Sequence, residues 1–292
     1  MSARTLAEVV NDWFADAARP LPWRAADVSP WAVLVSELML QQTQVARVVP
    51  RWEAWIERWP TPAVMAAAPP ADAVRAWDRL GYPRRALWLH AAATEIVERH
   101  GGEVPRDLDD LLALKGVGPY TARAIAAFAY GERHPVVDTN TRRVIARAVL
   151  GQGDPGPPST ARDLAEMDAL LPGSDAAART FNAAAMELGA TVCTARAPSC
   201  QTCPIVDRCA WVLAGSPEYD GPRGAKQARF EGSDRQIRGL VMRELRAAHR
   251  PVTRTELSSV WADAARLDGV IESLLGDGLA VRERDGFTLP EA

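Results

Sequence analysis

The central part of the chain contains the sequence Leu114-Lys115-Gly116-Val117-Gly118-Pro119-Tyr120-Thr121-Ala122. Two glycines one residue apart make a tight turn with exposed backbone N–H groups, and a helix is expected directly after it. The positive N-terminal end of that helix would lie beside the turn, which can therefore hold a phosphate group. A plain connection between two helices is the alternative interpretation of an isolated Gly-x-Gly.

The sequence on both sides of this turn is patterned for helices. From Leu6 to about Trp211, segments rich in Ala, Leu and Arg are interrupted by Pro, Gly or Asp, and no convincing strand alternation occurs. Helix breaks are predicted at residues 19–22, 59–62, 101–102, 116–119 and 151–159. An all-α body is therefore expected.

The C-terminal part of the chain is patterned differently. Residues 216–232 are rich in Gly, Pro and charged side chains and are predicted to be a linker. The helices expected after it cover residues 234–249, 253–260 and 262–275. Two short β-like runs around Asp285-Gly286 then indicate a hairpin. Residues 233–292 thus resemble a small winged-helix-like module that follows a body formed by residues 1–215.

Composition limits the classes of function. The 292 residues are 48% hydrophobic and 24% charged, as in an ordinary globular protein. No apolar run reaches the ~18 residues that a membrane span needs, and the N-terminus lacks the pattern of a signal peptide, so a cytoplasmic protein is expected. The net charge of −3 argues mildly against a nucleic-acid partner, so any such interaction has to come from local charge.

All four cysteines fall within 17 residues, at Cys193, Cys200, Cys203 and Cys209. Disulfides are disfavoured in a reducing cytoplasm, so this segment is predicted to hold a metal. Structural zinc sites usually combine two short C-x₂₋₄-C units, and only one such unit is present here. An iron–sulfur cluster is therefore favoured and zinc is the alternative, although the spacing differs from that of the ferredoxins.

Two further segments each contain a candidate catalytic carboxylate. Residues 36–44 read Ser-Glu-Leu-Met-Leu-Gln-Gln-Thr-Gln, and burial of Glu37 among apolar neighbours would favour its protonated form, which suits a proton donor. A solvated helix face is the alternative. Residues 136–143 read Val-Val-Asp-Thr-Asn-Thr-Arg-Arg, in which Asp138 could equally serve as a helix N-cap.

Taken in order, these motifs resemble the helix-hairpin-helix DNA glycosylase superfamily, and within it the adenine glycosylase (MutY) family. The similarity runs from about Trp13 to Trp211 and includes PLPWR, SELMLQQTQV, LGYPRRA, LKGVGPYTARAI, VVDTNTRRV and FNAAAMELGATVC. It implies two helical lobes that form a cleft, a hairpin that grips the DNA backbone with a bound monovalent cation, and a target base flipped into the cleft. It also implies that the four cysteines hold a [4Fe–4S] cluster within a catalytic region of residues 1–215.

The resemblance assigns catalytic roles that suit cleavage of an N-glycosidic bond, in which one group protonates the base and another stabilises the sugar cation. Glu37 matches the acid that protonates adenine at N7. Asp138 matches the carboxylate that faces the sugar cation, with Asn140 as its hydrogen-bonding partner. Tyr120 stands where the bifunctional endonuclease III group has a lysine that attacks the sugar, so base removal without strand cleavage is expected.

Three groups of residues match DNA-contacting positions of the family. Those at the base opposite the flipped adenine are Gln42, Thr43 and Tyr82. Those that line the adenine pocket are Arg19, Trp23 and Leu40. Those of the hairpin that holds the DNA backbone are Lys115, Gly116, Val117 and Gly118. An aromatic wedge at Tyr82 agrees with intrusion into the base stack.

The sequence departs from the family pattern at several points. Ala183 stands where Gln or Glu usually holds the exocyclic amine of adenine, so one adenine-reading contact is missing. Thr139 replaces the usual glycine, and Lys115 replaces the usual proline and could add a phosphate contact. No segment resembles the NUDIX-like domain that reads 8-oxoguanine in the family. Glycosylase activity is therefore better supported than adenine specificity.

The sequence thus predicts a monofunctional glycosylase that removes adenine mispaired with 8-oxoguanine or guanine in double-stranded DNA. It is expected to be a monomer in the cytoplasm, associated with the nucleoid. A thymine or uracil mismatch glycosylase of the same superfamily is the first alternative, disfavoured by the segment from Glu37 to Thr43. A non-catalytic, cluster-bearing DNA-binding or redox-sensing protein is the second, disfavoured by the presence of both Glu37 and Asp138.

Overall fold

The computed structural model describes residues 4–222 and 229–291, and the regular secondary structure of these residues is almost entirely helical. The helices of the first part are α1 (Leu6–Ala17), α2 (Pro30–Leu40), α3 (Val45–Arg58), α4 (Pro62–Ala66), α5 (Pro70–Trp77), α6 (Arg84–His100) and α7 (Leu108–Ala113). Those that follow are α8 (Pro119–Phe128), α9 (Thr139–Ala148), α10 (Thr160–Asp168), α11 (Asp175–Thr191), α12 (Ala210–Leu213), α13 (Asp234–Ala247), α14 (Arg254–Ser258) and α15 (Ala264–Gly276). The predicted helix breaks fall between these helices or end on their first residue, and the body is all-α as predicted.

The chain folds into two compact units that interleave along the sequence. The first unit is formed by Met1–Val33, Arg106–Leu112 and Val117–Ala225. The second is formed by Leu34–Pro105, Ala113–Gly116 and Lys226–Ala292. The predicted domain limits stay a prediction, and residues 223–228 of the predicted linker lie outside the described residues. Nowhere in the described part of the chain is a helix both long and apolar enough to span a bilayer.

The first unit is built around α11. Its buried residues Phe181 and Leu188 share one apolar core with Val10 of α1 and Ile145 of α9. Burial of such side chains contributes roughly 1.5–3 kcal/mol each, which explains why these three helices pack together. The N-terminus of α9 is thereby fixed beside the C-terminal half of α11, where several predicted functional residues lie.

The second unit contains α6 at its centre, with α4 and α5 packed against it. Tryptophans fill its core: the ring of Trp55 in α3 meets Trp77 in α5 edge-on at 5.8 Å, and Trp59 at 4.6 Å. Such edge-to-face pairs add to the energy of burial. The short loop of residues 78–83, which joins α5 to α6, is anchored on this aromatic core because Trp77 Nε1 donates to the Gly81 carbonyl at 2.9 Å.

The C-terminal residues of the second unit form helices α13 to α15 and a hairpin of β1 (Val281–Glu283) and β2 (Gly286–Thr288), where the sequence indicates them. A β-bridge joins Val252 to Phe287, each residue donating to the other's carbonyl at 2.9 Å. Gly286 is required there because a Cβ would collide with the Val252 carbonyl. The winged-helix identity of this segment stays a prediction.

Candidate active site and metal centre

Asp138 is the N-cap of α9, and both of its carboxylate oxygens are held. Oδ1 accepts a hydrogen bond from the Thr141 backbone N–H at 2.7 Å, and Oδ2 accepts one from Asn140 Nδ2 at 2.7 Å. The positive end of the helix also favours a negative charge at this position. The N-cap interpretation and the catalytic interpretation are therefore compatible, since capping orients a half-buried carboxylate.

Asn140 connects Asp138 to the cysteine segment. Its Oδ1 accepts a hydrogen bond at 2.7 Å from Arg143 Nη2, and Arg143 Nε donates to the Cys193 carbonyl at 2.7 Å. Arg143 Nη2 also donates to the Gly189 carbonyl at 2.6 Å. A Cβ at Gly189 would lie 2.7 Å from both the Cβ and the carbonyl oxygen of Asn140, so only glycine fits. The sequence predicted a role for Asn140 and missed Arg143 and Gly189.

The four cysteines line one largely apolar cavity in the first unit, together with residues of α9 and α11. Their thiols form no disulfide. Among the described residues, no three His, Cys, Asp or Glu side chains are placed to hold a single metal ion. A cube of iron and sulfur needs its four thiolate ligands spread around a larger volume than a zinc ion does, so the site fits a cluster better than zinc.

Arg147 supplies positive charge beside these thiols. It is 5% exposed, and its Nη1 donates to Cys193 Sγ at 3.4 Å and to the Thr194 carbonyl at 2.7 Å. Burial raises the pKa of the Cys203 thiol to about 11, so without a metal this sulfur stays protonated at neutral pH. Because cysteine binds metal as the thiolate, occupation of the site and deprotonation are linked.

Glu37 lies in α2, within a run of consecutive buried residues from 31 to 39. Its side chain is 5% exposed, so it does not lie on a solvated helix face. Burial disfavours the charged form of a carboxyl group. Leu40 is half-buried in the last turn of the same helix.

The residues predicted for the opposite base come together in the second unit. Gln42 and Tyr82 are two of the four described non-glycine residues with a positive φ, at 55° and 48°. Thr43 Oγ1 donates to the Leu80 carbonyl at 3.3 Å, which ties the segment after α2 to the loop of residues 78–83. The Tyr82 side chain is 49% exposed. Strained backbone of this kind is concentrated at functional sites.

The predicted tight turn before α8 is present. Gly116 has φ of 80°, and a Cβ there would lie 2.8 Å from the Trp88 Cβ, so a glycine is required. Gly118 is the N-cap of α8 and provides no side-chain cap. Lys115 is exposed and Val117 is buried, and Tyr120 is half-buried in the first turn of α8.

Arg19 is bound to a carboxylate that the sequence analysis missed. Glu187 of α11 is fully buried and pairs with Arg19 Nη2 at 3.1 Å and with Arg24 Nη2 at 2.9 Å. Burial alone would raise the pKa of Glu187, but the hydrogen bonds and charges of the two arginines outweigh it and lower that pKa. Trp23 lies between these arginines in a short 3₁₀ turn. A lone glutamate in the apolar sequence Met186-Glu187-Leu188 was the available signal.

Comparisons with known proteins agree with this architecture. Residues 35–167 match the HhH-GPD superfamily of base excision DNA repair proteins, and residues 193–209 match the iron–sulfur binding domain of endonuclease III. The second match begins and ends at the outer two cysteines. The chain therefore carries a [4Fe–4S] cluster.

Two curated relatives and one solved structure illustrate the similarity. The adenine DNA glycosylase of Mycobacterium tuberculosis is 55% identical over 280 residues, which are 95% of this chain and 91% of that protein. The adenine DNA glycosylase of Mycolicibacterium smegmatis is 53% identical over 275 residues, 94% of this chain and 92% of that protein. The structure of a thermostable thymine-DNA glycosylase aligns with a TM-score of 0.64 at 26% identity, covering 71% of this chain and 95% of that one.

Proposed function

The chain belongs to the adenine DNA glycosylases of base excision repair, and from this membership we propose that it hydrolyses the N-glycosidic bond of adenine mispaired with 8-oxoguanine or guanine in double-stranded DNA. The observation that carries the proposal is the Asp138–Asn140 pair at the N-terminus of α9, with both carboxylate oxygens held at 2.7 Å. A carboxylate fixed in position is what a developing sugar cation requires.

Glu37 is proposed as the general acid. When the bond between the sugar C1′ and the base nitrogen breaks, its electron pair passes to the base, and Glu37 donates a proton to N7 so that adenine leaves as a neutral molecule. The resulting carboxylate then accepts a proton from the water that attacks C1′, which restores the acid. The Glu37 side chain is 5% exposed, so the proton transfer proposed here would take place away from bulk solvent.

Asp138 is proposed to stabilise the positive charge on the sugar between departure of the base and arrival of water. Its orientation depends on Asn140, whose amide also contacts Arg143. Tyr120 occupies the position at which an amine would otherwise attack C1′. A phenol cannot form a Schiff base with the sugar, so the reaction stops at the base-free site and the strand is not cleaved.

Arg19, Trp23 and Leu40 are proposed to line the adenine pocket. Glu187 supports this role, because its buried carboxylate holds the Arg19 guanidinium in one orientation. Ala183 of α11 contributes no hydrogen bond from its side chain, so recognition of the adenine edge falls on the remaining groups. A site with fewer polar contacts discriminates less strongly between bases.

The DNA-facing residues are proposed to act in two ways. Gln42, Thr43 and Tyr82 enter or contact the base opposite the excised adenine. A second group is proposed to bind the DNA backbone through its amides, through the exposed Lys115 ammonium and through a monovalent cation. It consists of Lys115, Gly116, Val117 and Gly118. The uncapped start of α8 supports this assignment.

The four thiols of Cys193, Cys200, Cys203 and Cys209 are proposed as the ligands of the cluster. The protein is proposed to act as a monomer in the cytoplasm, associated with the nucleoid. Residues 1–215 would form the catalytic region and 216–232 a linker, with residues 233–292 as a winged-helix-like module.

The test is single-turnover excision on four duplexes, with A opposite 8-oxoguanine, A opposite G, T opposite G and U opposite G. Adenine should be removed from the first two and neither pyrimidine from the others. Glu37→Gln keeps the shape of the side chain and removes the proton donor, so excision should fall about 10²–10⁴-fold while duplex binding is retained. Glu57→Gln makes the same change at an exposed position of α3 and should leave the rate unaltered.

Faster removal of T or U than of A would replace the proposal with the mismatch alternative. Absence of excision on all four duplexes, with binding intact, would favour the non-catalytic alternative. A loss smaller than about tenfold in Glu37→Gln would exclude Glu37 as the acid.

A further inference from the structure

Arg85 is a buried cation in the first turn of α6. It is 3% exposed, and within the described residues its guanidinium donates only to neutral oxygens. Nη1 donates to the carbonyls of Leu38, at 2.9 Å, and Gln41, while Nη2 donates to the Gly81 carbonyl at 3.2 Å and contacts Thr43 Oγ1 at 3.5 Å. The guanidinium also lies 5.5 Å and 5.2 Å from the rings of Trp77 and Tyr82.

These carbonyls belong to two segments that are far apart in sequence. Leu38 lies in the last turn of α2, Gln41 directly follows that helix, and Gly81 belongs to the loop of residues 78–83. One side chain therefore links the end of the helix that contains Glu37 to the loop that contains Tyr82. A second link, from Thr43 Oγ1 to the Leu80 carbonyl at 3.3 Å, runs beside the first.

The positions of two of these bonds are informative. Gln41 directly precedes Gln42, and Gly81 directly precedes Tyr82, and both following residues have a positive φ. The φ angle of a residue is the rotation about its N–Cα bond, which relates the preceding peptide plane to the rest of that residue. A donor that holds the carbonyl of that plane therefore constrains φ. The left-handed conformation costs a non-glycine residue roughly 1–2 kcal/mol, so it needs such support from its surroundings.

The charge at Arg85 is energetically expensive. Burial lowers its pKa to about 10, so it remains protonated at neutral pH, and its buried Nε has no hydrogen-bond partner in the described structure. An apolar side chain of similar volume would be buried at lower cost. Packing alone therefore does not explain an arginine at this position. The forked guanidinium explains it, because it reaches several carbonyls at once.

We propose that Arg85 is a positioning residue for recognition of the opposite base, because it holds the peptide plane before Gln42 and, together with Trp77 Nε1, the plane before Tyr82, and so sets both side chains in the conformation that meets the DNA. This inference rests on the proposed function of those two residues. It assigns Arg85 no contact with substrate.

The test compares Arg85→Lys with Arg99→Lys, an exposed position on the same helix that pairs with Glu95 at 3.0 Å. A lysine keeps the charge but cannot serve both peptide planes in the same geometry. In Arg85→Lys the preference for A opposite 8-oxoguanine over A opposite G should fall at least fivefold in single-turnover rates. In Arg99→Lys the preference should not change. Visible absorption of the cluster and thermal unfolding report whether each variant is folded.

A double-mutant cycle separates positioning from general destabilisation. If Arg85 acts through Tyr82, then Arg85→Lys should add little to the defect of Tyr82→Ala, because coupled residues are non-additive. A 2-aminopurine beside the opposite base should brighten when the unaltered protein unstacks the DNA, and should brighten much less with Arg85→Lys. Additive losses in the cycle, or unaltered brightening, would overturn the inference.

The fluorescence measurement needs binding only, so it tests the inference even where the unaltered protein proves inactive on adenine and the proposed function fails. Should Arg85→Lys lose the cluster absorption, Arg85→Gln takes its place, since its amide retains a planar donor. Additive losses in the cycle, or unaltered brightening of 2-aminopurine, would overturn the inference for that variant as well.

Discussion

Gly189→Ala tests the contact between α11 and the N-terminus of α9. A Cβ at residue 189 would lie 2.7 Å from the Asn140 carbonyl oxygen and 2.9 Å from its carbonyl carbon. Ordinary van der Waals contact begins at 3.4 Å, so the backbone of Asn140 must move by about 0.7 Å in a close-packed interior. That backbone cannot rotate away as a flexible side chain would.

The expected effects on stability and on activity differ in size. Alanine is a better helix former than glycine by about 1 kcal/mol, and this gain opposes an overpacking cost of roughly 1–3 kcal/mol, so the free energy of unfolding should drop by at most about 2 kcal/mol. The movement, however, displaces Asn140 from Asp138 and Arg143. Since a displacement of about 1 Å can cost roughly 10²-fold in catalysis, excision should slow by about 10- to 100-fold.

The assay is single-turnover excision of A opposite 8-oxoguanine, combined with thermal unfolding. Gly239→Ala is the matched control, because Gly239 lies within α13 and a Cβ there meets nothing within 4 Å. It should be slightly stabilised and fully active. If Gly189→Ala excised adenine at the unaltered rate, the proposed dependence of Asp138 on the position of Asn140 would be refuted.

Three further changes follow from the same contacts. Cys203→Ser should lose the broad visible absorption of the cluster and bind duplex DNA more weakly, and zinc without iron in anaerobically purified protein would contradict the cofactor. Tyr120→Lys should gain some strand cleavage that borohydride traps, whereas efficient trapping by the unaltered protein would contradict monofunctional action. Glu187→Gln should lower the free energy of unfolding at pH 7 by about 1–3 kcal/mol. Because the folded-state pKa of Glu187 is lowered from 4.5, its stabilising effect is fully present above pH 4.5 and is lost as the pH falls through the lowered pKa, so the two proteins should converge in acid. A constant difference down to acid pH would contradict the ion pair.

Features that depend on neighbouring residues could be predicted from the sequence. The turn at Gly116, the cap at Asp138 and the cysteine segment are local patterns, in which chain geometry or ligand chemistry limits the residue types. The helix breaks depend on local signals of the same kind. The resemblance to a known family then predicts that these patterns serve one function.

Features that depend on tertiary packing could not be predicted. Glu187 meets Arg19 across 168 positions of sequence, and Arg85 meets Leu38 across 47. No local sequence pattern indicates which buried charged side chain will pair with which partner. The interleaving of the two units is hidden for the same reason, since it depends on which apolar helix faces meet after the chain has crossed between them.

The excess of arginine over lysine takes on a physical meaning in the folded chain. Among the 34 cationic residues only Lys115 and Lys226 are lysines. Composition alone does not decide whether this bias reflects phosphate binding or the base composition of the genome. Arg85, Arg143 and Arg147 instead direct their guanidinium groups at backbone carbonyls inside the protein. Because a planar guanidinium offers five donors and an ammonium only a compact point charge, lysine could not replace them.

These internal arginines also change how the net charge of −3 bears on DNA binding. A guanidinium committed to protein carbonyls neutralises no phosphate, so fewer cations face the duplex than the sequence suggests. Under the proposed function, binding to DNA then depends less on a broad basic surface than on the turn at Gly116, the helix start at Gly118 and the proposed intrusion of Tyr82. Contacts of this kind need accurately held backbone, which is what buried arginines provide, and the internal use of arginine is therefore consistent with recognition of DNA by a protein without net positive charge.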